Sequence, residues 1–140
     1  MVTPQEVYAA LGQGAVPGLE AAAQVGDAER WSLVAYLWQQ TATSDSLARG
    51  AALYAQNCAG CHGETGRGDG LAASFSPEAE PNFAGPTHSL TRSPAVYYAK
   101  IARGGMGTGM PNWGTILGED DLWALTDYLY SFVFGYTPEE

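Results

Sequence analysis

The pentapeptide Cys58-Ala59-Gly60-Cys61-His62 uses both cysteines of the chain in one place and follows them with a histidine. Two cysteines three apart on the first turn of a helix can each form a thioether to one vinyl group of a porphyrin. The next residue is then held where its ring nitrogen reaches the iron. This C-x-x-C-H spacing is the attachment signature of c-type haem. Other chemistries fit less well. A zinc site would need two more ligands, and His62 and His88 are the only histidines. A redox dithiol has no use for a histidine at that place and ordinarily follows a strand in a βαβ pattern, which is not visible here.

A flat cofactor also suits the rest of the chain. The 140 residues are enough for one ordinary domain, or for one small domain and an appendage. Such a domain has a thin core, and a buried porphyrin supplies apolar volume. Glycine and proline are frequent between residues 60 and 118, as expected where chain wraps a cofactor instead of itself. The formal charge of −9 argues against nucleic acid as a partner. It favours a redox partner with a basic docking face, because opposite fields speed encounter.

No apolar run approaches the roughly 20 residues that span a bilayer. The start, Met1-Val2-Thr3-Pro4-Gln5-Glu6, has neither the basic nor the apolar region of a signal peptide. Thioether attachment of haem takes place outside the bacterial cytoplasm. The expectation is therefore a mature product or an excised part of a larger protein. It would sit in the periplasm or on the extracytoplasmic face of a membrane.

Helix signals recur along the chain and strand signals are weak. Thr3-Pro4-Gln5-Glu6 is a capping box with proline at the first helical position, and Gly12 and Gly14 end that helix. Asp27 is expected to cap a second helix, with Trp31, Val34, Ala35 and Trp38 at helical spacing. Ser44 or Ser46 is expected to start a third, running through Leu47, Ala51 and Tyr54 into the haem motif. Ser93-Pro94 opens a fourth, ended by Gly104-Gly105. The last starts near Glu119, with acidic residues in the first turn as the helix dipole favours.

Residues 44–136 resemble a class I c-type cytochrome, of the kind found as domains of bacterial respiratory enzymes. The resemblance is carried by Gly50 and Tyr54 leading into CAGCH and by the glycine-rich loop Gly63 to Gly70. It is carried further by Gly109-Met110-Pro111-Asn112-Trp113 and by Leu125-x-x-Tyr128. It implies an all-α fold wrapped around one covalent haem c. It also implies that the first and last helices cross where Gly50 and Tyr54 meet Leu125 and Tyr128.

The iron ligand opposite His62 has three candidates. Pro111 stiffens the backbone after Met110 by fixing φ, and the family places its ligand directly before such a proline. Met106 is flanked by glycine, and His88 lies in a Pro/Ser/Thr loop where a surface histidine is expected. Met110 is the choice. A His/Met pair raises the potential relative to bis-histidine ligation. The other ring N–H of His62 is expected to go to a backbone carbonyl, with Leu71, Pro77 and Pro81 as candidate positions. Trp113 and Phe83 are expected to pack on the haem. Arg67 is a candidate for a propionate contact or a solvated loop arginine.

Residues 3–40 look like a copy of residues 93–132. Thr3-Pro4 matches Ser93-Pro94, Tyr8 matches Tyr98, Leu11 matches Ile101 and Gly14 matches Gly104, all at one offset. After gaps, Pro17 matches Pro111, and Trp31, Tyr36 and Leu37 match Trp123, Tyr128 and Leu129. Val16 stands at the methionine position and cannot ligate iron. The expected organisation is a degenerate, haem-less half-domain over residues 1–43, followed by a haem domain over residues 44–140. The expected function is electron transfer without enzymatic turnover. The alternative is a ligand-binding or sensory haem in which the methionine is displaced.

Overall fold

A computed structural model describes residues 1–136, and those residues are all-helical, as expected of a cytochrome c fold. The order is α1 (Pro4–Gly12), α2 (Asp27–Gln39), α3 (Ser44–Asn57), α4 (Ala59–His62), α5 (Pro86–Ser89), α6 (Pro94–Arg103) and α7 (Glu119–Phe134). Short 3-10 turns at Glu20–Gln24, Ala73–Phe75 and Trp113–Thr115 join them. Among the described residues the only β pairing is a bridge between Gly105 and Met110.

The helix boundaries follow local chemistry. Thr3 accepts from the Glu6 amide at 3.1 Å, and the Glu6 carboxylate answers the Thr3 amide at 2.7 Å, which starts α1 as the capping box predicts. At α2 the expectation is corrected. Gly26 holds the cap position, and the Asp27 carboxylate instead accepts a hydrogen bond from the Tyr8 hydroxyl. α3 begins at Ser44, one of the two expected starts, and Thr43 caps it, its hydroxyl accepting from the Ser46 amide at 3.0 Å. At the other end of α7, Gly135 takes the left-handed conformation (φ 74°) that stops a helix.

The core is built where α3 and α7 cross, with α6 against the opposite side of α7. Gly50 is the point of closest approach. A Cβ there would collide with the Ala124 carbonyl oxygen and lie 2.8 Å from the Tyr128 Cβ. The next turn of α3 brings the Tyr54 ring to 5.5 Å from that of Tyr128 and 5.0 Å from that of Phe132. This is the crossing the sequence resemblance implied. Leu122, Leu125, Leu129 and Tyr130 of α7 are buried. The Tyr130 hydroxyl keeps its bond by donating to the Arg92 carbonyl at 2.6 Å.

Residues 1–43 share this core. Trp38 of α2 packs its ring 5.3 Å from Tyr130 and 6.3 Å from Phe134, and the Gln5 amide donates to the Leu90 carbonyl at 3.0 Å. Leu11 and Val34 are fully buried. Within the segment, Tyr8 stacks on Trp31 with ring centres 4.3 Å apart. Tyr98 and Trp123, the residues that the sequence match sets against them, lie at the same 4.3 Å with their rings tilted by 31°. Tyr36, which the sequence match sets against Tyr128, does not share that residue's surroundings. It is 60% exposed, whereas Tyr128 rests against α3. The reason is physical: no helix equivalent to α3 faces α2, so Tyr36 has no ring to meet.

Gly50→Ala should therefore force α3 and α7 apart and lower stability by about 1–3 kcal/mol, the usual cost of overpacking. A thermal melt checks this, and an unchanged midpoint would mean that the crossing tolerates a methyl group.

Candidate functional site

The helix α3 ends at Asn57, and the chain turns at Cys58 directly into the single turn α4. The His62 amide donates to the Cys58 carbonyl at 2.9 Å, so the motif is helical from its first cysteine to its histidine. The Tyr54 hydroxyl reaches over this turn and donates to the Gly63 carbonyl at 2.7 Å in a buried setting. That bond ties the end of the motif to the core helix. Burial pushes the Cys58 thiol up to about 11, with the neighbouring Cys61 adding to the shift. Both cysteines are free thiols here. Burial lowers the His62 imidazole below its ordinary value, against the opposing pull of Glu80. A neutral imidazole is the form that can ligate a metal.

The six residues singled out from sequence, Cys58, Cys61, His62, Met110, Pro111 and Trp113, all line one cavity of about 590 Å³. That volume lies within the range of cofactor sites, roughly 300–1,000 Å³. The cavity floor comes from Leu125 and Leu129 of α7, and further wall from Tyr97 and Ile101 of α6. The methionine loop reaches it because α6 stops at Gly104. There φ is +71°, and any Cβ would lie 2.7 Å from the Met110 carbonyl oxygen. The Gly105 amide then donates to that carbonyl at 3.2 Å. Met106 points the other way and is fully exposed. Phe83 is buried, lines the cavity and holds its ring 5.0 Å from that of His62.

Two expectations need correction, and a third is decided between its alternatives. His88 is not a surface residue. It lines the cavity, and its Nδ1 shares a hydrogen bond of 3.0 Å with the Tyr97 hydroxyl. Burial, helped by Arg92 and His62, pushes its imidazole down to about 4. Of the two readings of Arg67, the solvated loop arginine holds: it is exposed and off the cavity wall, whereas Arg92, Lys100 and Arg103 line it. Among the described residues no backbone carbonyl accepts from His62 Nδ1; the Glu80 carboxylate is beside it instead. Sequence gave a sign of the basic wall, since half of the six Lys and Arg residues fall between positions 92 and 103. It gave none for Glu80, one of several loop carboxylates.

The residues fit a covalent haem. Two cysteines stand on the first turn of one short helix, a neutral histidine follows, a methionine shares the cavity, and cationic side chains are available for two carboxylates. Among the described residues no three His, Cys, Asp or Glu side chains gather to hold a bare metal ion, so the zinc alternative gains nothing. Nor is any described helix long and apolar enough to cross a membrane.

Comparison with known proteins agrees. The family described as cytochrome c oxidase, cbb3-type, subunit III matches residues 45–129. Among solved structures, a chain of the reducing HAO-like protein complex of Kuenenia stuttgartiensis is similar, with 26% identity and a TM-score of 0.58. The match covers 95% of this chain and 73% of that one. A search of the curated proteins found no match.

Tyr54→Phe should leave the Gly63 carbonyl buried without its donor. The expected loss is about 1–3 kcal/mol, read as a lower denaturation midpoint; a neutral result would mean that water replaces the hydroxyl.

Proposed function

The chain belongs to the cytochrome c family of cbb3-type oxidase subunit III, and from that we propose that it relays electrons through one covalent haem c with His62 and Met110 as axial ligands. The observation that carries the ligand choice is the sharing of one cavity by His62 and Met110 while Met106 is fully exposed. The haem supplies an iron that accepts and returns one electron. The protein's part is to hold and tune it. Cys58 and Cys61 anchor the ring through two thioethers. Phe83 and Trp113 shield its faces from water. Pro111 stiffens the backbone that presents the Met110 thioether, and that soft ligand raises the potential. Arg92, Lys100 and Arg103 are available to the two haem carboxylates. With His62 and Met110 as the residues that would hold the iron, the protein would act as a carrier of electrons and not as an enzyme.

The setting is proposed as well. The charge of −9 favours a redox partner with a basic docking face. Residues 1–43 are a degenerate half-domain, a reading supported by the equal 4.3 Å ring separation of Tyr8 from Trp31 and of Tyr98 from Trp123. Tandem cytochrome units of that kind suit a domain of a larger exported or membrane-associated redox protein, working in the periplasm or on the extracytoplasmic face of the membrane.

Met110→Ala should abolish the weak red-end absorption band of the ferric methionine–iron bond and lower the reduction potential. Met106→Ala should change neither. The reverse pattern in spectroscopy and potentiometry would move the ligand to Met106.

A further inference from the structure

We infer that Glu80 is the anionic partner of the proximal histidine: its carboxylate orients the His62 ring through Nδ1 and lowers the reduction potential of the centre. The inference rests on the haem reading above and concerns what tunes that haem.

The Nδ1 atom of His62 is buried and has no hydrogen-bond partner. The Glu80 Oε2 atom stands 3.3 Å from it. The distance is an ion-pair contact just beyond the usual N–H···O range, so a slight approach of the two side chains would make the bond. Both side chains are only 14% exposed, so the charge acts in a partly desolvated setting. The Ser76 hydroxyl donates to Oε1 of the same carboxylate, which leaves Oε2 for the imidazole.

The chain around Glu80 is built to keep it there. The Gly68 amide donates to the His62 carbonyl at 2.8 Å, which fastens the glycine-rich loop to the motif. On its other side Gly68 lies so close to the Glu80 and Pro81 carbonyls that a Cβ would come within 2.7 and 3.0 Å of them. The Phe83 amide donates to the Gly66 carbonyl at 2.6 Å. Residues 80–83 are thus held on the back of the histidine, with the Phe83 ring against the imidazole.

A backbone carbonyl offers His62 a neutral dipole. A carboxylate offers a full negative charge, and it makes the imidazole a stronger donor to iron. Both effects favour the ferric state, which carries one more positive charge than the ferrous state. Glu80 therefore opposes the upward pull of the Met110 thioether.

The test is potentiometry on the haem-loaded protein, with the His62 ring N–H proton followed by NMR in the ferrous state. Glu80→Gln should raise the potential and move the ring resonance. Glu80→Asp should restore part of the lowering. Glu78→Gln removes a charge from the same cavity and should shift the potential less, without moving the resonance. A Glu80→Gln shift no larger than that of Glu78→Gln would overturn the inference. Ser76→Ala keeps the charge and removes only its tether, so it should move the ring resonance even where Glu80→Gln fails to take up haem. An unmoved resonance there would also overturn it. Wild-type protein lacking covalent haem would overturn the functional reading itself, and that is seen before any variant is made.

Discussion

The backbone contact between α3 and α7 at Gly50 sets the geometry on which the site depends. With the helices that close, Tyr54 one turn later is wedged among Tyr128, Phe132 and the Gly63 carbonyl. The direction in which α3 ends is then fixed, and with it the position of Cys58, Cys61 and His62. The same helix α7 turns Leu125 and Leu129 toward the cavity and Tyr130 toward Trp38 and Tyr97. One helix therefore carries the haem pocket on one side and the N-terminal helices on another. A change at the crossing reaches both.

Features that depend on neighbouring residues were legible in sequence. The attachment motif, the capping box at Thr3, the proline that opens α6 and the methionine–proline loop each declare themselves within a few residues. The α3–α7 crossing was legible only through resemblance, because nothing local says what Gly50 must approach. The start of α3 at Ser44 was legible, whereas its cap Thr43 was not singled out, since Ser44 and Ser46 offer the same hydroxyl chemistry one and three residues later. Asp27 was misread because its carboxylate could serve its own helix or the distant Tyr8 hydroxyl, and the tertiary contact won. His88 looked like loop polarity, but the loop folds inward and Tyr97 gives its nitrogen a partner. Glu80 could not be found, since its role comes from the path that Gly66 and Gly68 impose on residues 80–83.

The N-terminal helices repeat part of the packing of α6 and α7, as the proposed degenerate half-domain requires. Tyr8 meets Trp31 at the same 4.3 Å as Tyr98 meets Trp123, the first pair stacked and the second tilted by 31°, since each contact needs only two helices. Tyr36 does not follow Tyr128, since that position needs a third helix. What the segment gains instead is a seat on the haem domain through Trp38, which buries apolar surface that a small domain would otherwise leave to solvent.

The central claim is that the cavity beside His62 holds one haem bonded to Cys58 and Cys61. Intact-mass spectrometry under denaturing conditions tests it most directly, on protein made in cells able to attach haem. The account predicts the mass of the polypeptide plus a single haem, with the added mass on the peptide that contains both cysteines. A bare polypeptide mass, or one lowered only by a disulfide between Cys58 and Cys61, would contradict it.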